Sequence, residues 1–323
     1  MFKFLVICYA ALTVSLGARK SSQLYTSTYM LYTKDNYKSG KKVEANRDSV
    51  GPLPINAMTD CAIIVHGHGG SGSHSMSTVL RDAFLTNGTT NVIVVDWAIA
   101  ASVKEYALAA VPAVGENIIE LLKLLVKHGK ISVAKLHLVG FDVGAHVVGC
   151  VGRGLKGIAR ITALNPIGGG REWVLSGYHV RPEDALYVEV IHTEVSEIGI
   201  PSALGDVDFY PHGGIRQPGC GDIECSHNRA WQLFAASLTH GGIMGHRCDN
   251  VDEAIDTRKP CTGFTLAMGN NELVKYGSGA FTVHTNALYP YRCKIKCGFV
   301  DRVLETIVAM VFGLQKVDTV FKP

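Results

Sequence analysis

The stretch Leu136-His137-Leu138-Val139-Gly140-Phe141-Asp142-Val143-Gly144-Ala145 decides the fold. Its first half is an apolar run of strand length. It then passes through Gly-x-Asp-x-Gly into a helical pattern over residues 143–153. Glycines on both sides permit a strained turn that lifts the central side chain above the strand end, at a helix N-terminus. The five-residue pattern alone would be weak; its placement between strand and helix makes it specific.

Outward from this turn, strands and helices alternate. Short β-rich runs fall at residues 61–65, 91–96, 135–140, 160–165 and 186–193, mostly as continuous apolar sequence. That is the pattern of strands covered on both faces. Helical patterns lie between them at 76–85, 112–128 and 143–153, with Pro112 suited to a first helical turn. The alternation predicts an α/β domain with a mostly parallel central sheet and helices on both faces. A helix at 227–237 and two strands at 264–268 and 279–284 follow. The 323 residues, 47% hydrophobic, fit one large domain better than two small ones.

The ends read differently. Lys3 precedes an apolar run over residues 4–16, closed by Ser15, Gly17 and Ala18. This predicts a signal peptide over residues 1–17 and a secreted protein, since the run is short of the roughly 20 residues that span a bilayer. The domain then covers 18–297, and 298–323 form an amphipathic helical extension docked on it, with membrane attachment as the alternative. No transmembrane segment is expected.

Without Cys8 the chain keeps eight cysteines, an even number that suits an oxidising compartment. Cys220–Cys225 and Cys248–Cys261 are the best pairs and Cys293–Cys297 is plausible, while Cys61 and Cys150 read as buried thiols. Asn87-Gly88-Thr89 is a glycosylation sequon. A net charge of +3 without a basic aromatic cluster gives no support to nucleic-acid binding.

Gly-x-Ser-x-Gly at a strand–helix junction is the nucleophile elbow of α/β-hydrolases, and here Asp142 takes the serine's place. In the order nucleophile, acid, histidine, the next strand ends at Asn165 where an acid belongs. His227, in Cys225-Ser226-His227, suits the histidine. Ile64-Val65-His66-Gly67-His68-Gly69-Gly70 follows an early core strand, so the N–H groups of His68 and Val143 would form an oxyanion hole.

These motifs resemble the pancreatic lipase family, especially the insect lipases, short-lidded phospholipases A1 and dipteran yolk proteins. The likeness runs from Leu31 to Tyr289. It includes Asn91-Val92-Ile93-Val94-Val95-Asp96-Trp97, Gly205-Asp206-Val207-Asp208-Phe209-Tyr210-Pro211 and Gln217-Pro218-Gly219-Cys220. It implies an α/β-hydrolase fold and a lipid or lipid-like ligand. By that likeness Asp142 replaces the family serine, Asn165 its aspartate, and His227 matches its histidine. His68 stands where the family usually has Phe or Trp. The family lid shrinks to Gly221, Asp222, Ile223 and Glu224 between Cys220 and Cys225, and the separate C-terminal lipid-binding domain of the family's larger members is not expected here.

The substitutions predict a catalytically inactive lipase homologue that acts as a lipid-binding, storage or interaction protein. Asp142 has no hydroxyl to pass its proton to histidine, and attack by its carboxylate on an ester would give a poor anhydride intermediate. A triad Asp→Asn change alone costs ~10⁴ in turnover in a serine protease. The alternative is an enzyme using Asp142 as nucleophile, as in epoxide hydrolases, with His227 as base and Glu194 in place of Asn165; residual ester hydrolysis is a further option. The site's single negative charge would sit on Asp142 at a helix N-terminus, worth roughly 0.3–1 kcal/mol, paired with His227. His66 and His146 read as hydrogen-bonded core histidines, so no metal is expected. Gly67–Gly72 lacks the ending of a phosphate loop, so no nucleotide cofactor is expected either. Asp208 reads as a loop brace, and protein partners are left open.

Overall fold

The computed structural model describes residues 25–86, 90–168, 177–258 and 260–293. The expected signal peptide, the sequon at Asn87, Cys297 of the expected Cys293–Cys297 pair and the expected C-terminal extension lie outside the described residues.

Eleven strands form one sheet: β1 (Thr28–Tyr32), β2 (Lys41–Val43), β3 (Cys61–Val65), β4 (Asn91–Asp96), β5 (Leu136–Phe141), β6 (Arg160–Leu164), β7 (Val188–Ile191), β8 (Val207–Pro211), β9 (Met244–Arg247), β10 (Thr265–Ala267) and β11 (Gly279–Val283). Their order is β10-β9-β11-β8-β7-β6-β5-β3-β4-β1-β2. From β4 through β3, β5, β6, β7 and β8 to β11 every pair is parallel, and the antiparallel strands sit at the two edges. β1, β2 and β9, which the sequence pattern did not single out, are such edge additions. β8 lies in the 205–211 motif.

The principal helices are α1 (Ser75–Thr86), α2 (Lys104–Lys127), α3 (Val143–Gly154) and α4 (Ile223–His240). Successive strand residues feed opposite faces, as β pleating requires. Ile63, Leu138 and Ile161 pack with α2 and α3, while Ile64, Val139 and Leu164 pack with α1 and α4. The sheet is thus covered on both sides, and the α/β-hydrolase expectation holds.

Two boundaries differ from the sequence reading. Pro112 does not open its helix but lies inside α2, which begins at Lys104. An interior proline costs about 3 kcal/mol. Burial of Ala107, Ala110 and Val111 ahead of it carries the helix through. α4 likewise begins four residues before His227, because the Asp222 side chain accepts from the Cys225 N–H at 2.7 Å and caps it there.

Both disulfides favoured from sequence form, Cys220–Cys225 and Cys248–Cys261. Cys61 is a buried free thiol, whereas Cys150, also free, is only partly buried.

Candidate active site

The parallel strands deliver their C-terminal ends to one edge of the sheet, where clefts of open α/β sheets lie. Asp142 follows β5, Asn165 follows β6, the turn of Thr193 and Glu194 follows β7, and His66–His68 follow β3. α4 adds His227. The residues singled out in sequence therefore converge in space.

Asp142 is the elbow, with φ 58° and ψ −121°. Positive φ strains any residue with a Cβ. The turn closes because its neighbours have none. A Cβ on Gly144 would meet the Val65 carbonyl oxygen at 2.4 Å, and one on Gly67 would meet Asp142 Cβ at 2.5 Å. The loop after β3 is thereby pressed against the Asp142 side chain, and His68 N–H donates to Asp142 Oδ2 at 2.8 Å. The nearby Val143 N–H favours the same carboxylate's charge. Of the two groups expected to form an oxyanion hole, the His68 N–H is thus spent on Asp142.

Burial pushes the Asp142 carboxyl up, but the facing His227 ring, with the Val143 and His68 N–H groups, outweighs it. The carboxyl stays below its ordinary range, so it is anionic. Its Oδ1 faces His227 Nε2 at 3.4 Å. The expected Asp142–His227 pair is therefore made.

Asn165 fixes the direction of that pair. Its Oδ1 accepts from the N–H groups of Thr193 and Glu194, each at 2.7 Å. Its Nδ2 donates to the Glu194 carbonyl at 2.9 Å and meets His227 Nδ1 at 2.7 Å. Two acceptor sites and two donors are thus all used, and no flipped amide would satisfy the same partners. His227 Nδ1 must accept, so the neutral ring carries its proton on Nε2, the atom that faces Asp142. A serine-hydrolase triad runs the other way: its acid accepts from Nδ1–H, leaving Nε2 free as the base. Phe141 packs on the ring, 4.5 Å between centroids, and holds it in place.

Glu194 does not replace the missing acid. Its side chain accepts from the N–H groups of Ser196 at 2.9 Å and Ile198 at 2.8 Å, and from the Ser196 hydroxyl. What sequence reasoning missed is the backbone of Thr193 and Glu194, which orients Asn165. Nothing in their side chains signals it.

The Cys220–Cys225 loop is shorter in effect than its length suggests. Asp222 caps α4, and Ile223 and Glu224 are its first turn. The segment is bound into a helix start and its disulfide, with no free span to cover a cleft.

His66, His146 and His192 act as core residues. His66 stacks on Trp97, whose backbone N–H reaches its Nε2 at 3.1 Å. His192 pairs with Asp208 at 2.9 Å, and Asp208 also accepts from Leu204 N–H, bracing that loop. His146 Nε2 donates to the Ile167 carbonyl at 2.8 Å.

Burial lowers the His146 pKa to about 4, against a smaller rise from the Ile167 bond. The unfolded chain binds a proton below about 6.5 and the native state does not, so stability falls as pH drops from 6.5 towards 4. The loss is about 3 kcal/mol at full extent. Urea midpoints across that window should fall more steeply for the wild type than for His146→Gln; equal slopes would refute this account.

Comparison with known proteins agrees with this architecture. The Lipase family profile matches residues 10–263. The chain belongs to the lipase family. It is 29% identical to rabbit (Oryctolagus cuniculus) hepatic triacylglycerol lipase over 88% of this chain and 65% of that protein. It is 31% identical to Xenopus laevis lipase member H-B over 76% of the chain and 58% of the relative. It is 32% identical to Bos taurus phospholipase A1 member A over 70% and 52%. The chain spans about half to two thirds of the length of these curated relatives. In this lipase-family chain Asp142 sits at the elbow after β5, and Asn165 at the end of the adjoining strand β6.

Proposed function

We propose that this lipase-family chain is a secreted protein that binds a lipid or lipid-like molecule without hydrolysing it. One observation carries the reading: Asp142 stands at the elbow and takes the His68 N–H of the expected oxyanion hole, while Asn165 sets His227 with its proton on Nε2. The nucleophile, the hole and the base are all lost together. The residues of the site are satisfied by one another, so Asp142, Asn165 and His227 serve as a structural polar network.

Secretion is supported by the charged and apolar start over residues 1–17 and by the two disulfides. The mature domain would then run from about residue 18 to 297. Among the described residues no helix is long and apolar enough to cross a membrane. A lipid ligand is supported by the family, whose relatives include a triacylglycerol lipase and a phospholipase A1.

Attack by Asp142 on an epoxide would leave an alkyl ester whose hydrolysis needs a base. His227 Nε2 carries a proton and Nδ1 is taken by Asn165, so that second step has no base. The test is direct. The purified mature chain should show no labelling by a fluorophosphonate, no turnover of p-nitrophenyl esters or epoxides, and co-purified lipid by mass spectrometry. Wild-type turnover abolished in Asp142→Asn would overturn the reading, and a chain devoid of lipid would remove its binding half.

A further inference from the structure

A groove of about 240 Å³ lies between α1 and α4, away from the catalytic residues, lined by Val79, Ala83, Trp231, Ala235, Tyr289 and Tyr291 among others. Its floor is apolar. Its rim carries polar groups, including Thr239, whose hydroxyl lies 2.9 Å from Tyr289 Oη. The volume is below the roughly 300–1,000 Å³ of cavities that enclose a whole small ligand. It suits a few side chains instead.

The path of the chain says whose. Tyr289 and Tyr291 line the groove, and the described chain ends two residues later at Cys293. Leu288, just before them, is 80% exposed. The sequence continues beyond Cys293 into residues 299–314, where Val303, Ile307, Met310, Val311 and Leu314 recur at helical spacing. The five residues 294–298 between can reach roughly 17 Å. A segment tethered this closely meets the groove at a high effective concentration, so even a modest apolar contact is populated.

We infer that residues 299–314 of the same chain dock their apolar stripe in the groove between α1 and α4. The segment then fills the groove above the buried Trp231 and Tyr291 and covers the exposed Tyr289 at its mouth. This inference is independent of the state of the catalytic site.

The test uses the full mature chain, with a double variant in the segment, Ile307→Asp/Val311→Asp, and a groove variant on the half-buried outer side of α1, Val79→Arg. Hydrogen exchange of amides in residues 75–86 and 231–239 should quicken about tenfold in both, with β3 to β8 unchanged. Trypsin should cut at Arg302 faster in both than in the wild type. Unchanged exchange together with rapid wild-type cleavage at Arg302 would overturn the assignment. Protection that grows with protein concentration, alongside a dimer in light scattering, would give the groove to a second copy and overturn it. Flotation of the wild type with phosphatidylcholine vesicles, lost in Ile307→Asp/Val311→Asp, would send the segment to a membrane and overturn it as well.

Discussion

Asp142→Ser/Asn165→Asp should hydrolyse p-nitrophenyl butyrate, while Asp142→Ser alone turns it over roughly 10⁴ times more slowly. The reason is the direction of hydrogen bonding. Serine restores a nucleophile and empties the His68 N–H, which with the Val143 N–H can then receive an oxyanion. With Asn165 in place, however, Nδ2 still donates to His227 Nδ1, and the ring keeps its proton on the nitrogen that should accept from serine. Aspartate at 165 accepts from Nδ1–H and reverses the ring. The cost is visible in advance: a carboxylate oxygen replaces Nδ2, 2.9 Å from the Glu194 carbonyl. The double variant should therefore be less stable than the wild type by about 1–3 kcal/mol. Equal activity in the single and double variants would refute the role given to Asn165.

Glu189→Ala should lower the melting temperature by about 10 °C, with Glu189→Gln losing less. Glu189 is fully buried in β7 between two cations, Arg160 Nη2 at 3.2 Å and Lys275 Nζ at 2.5 Å. Burial raises its carboxyl pKa, but the charges of Lys275 and Arg160 outweigh that and hold it below the ordinary value. Both cations also donate to the Gly269 carbonyl, and Gly269 N–H donates to Glu189 Oε1 at 2.7 Å. The cluster ties β6 and β7 to the chain after β10. Removing the one anion leaves two buried cations uncompensated, a loss of about 3–5 kcal/mol. At about 2–4 °C per kcal/mol for a domain of this order, that gives the stated fall. Glutamine keeps an acceptor for Gly269 N–H but not the charge. A melting point within 2 °C of wild type for Glu189→Ala would show that the cluster relaxes at no cost.

The contrast between these two sites marks what could be read from sequence. The strands β3 to β7 and helix α3 were legible because continuous apolar runs and the Gly140–Gly144 spacing are local patterns. Edge strands β1, β2 and β9 were not, since they are short and their pairing is set by neighbours distant in the chain. Pro112 misled because a local rule for helix starts gave way to burial along α2. Arg160, Glu189 and Lys275 lie far apart in sequence and carry no motif.

The sequence by itself determined the elbow, the positions of Asp142, Asn165 and His227, and the two disulfides, because each depends on residue type at a fixed spacing. The tertiary structure alone decided what the substituted residues do. An asparagine can donate or accept, and only the N–H groups of Thr193 and Glu194 on its oxygen force its amide towards His227. A carboxylate at an elbow can face solvent or the oxyanion hole, and only the close approach of Gly67 places the His68 N–H on it. Hydrogen-bond direction belongs to the partners that surround a group, and those partners come from different strands.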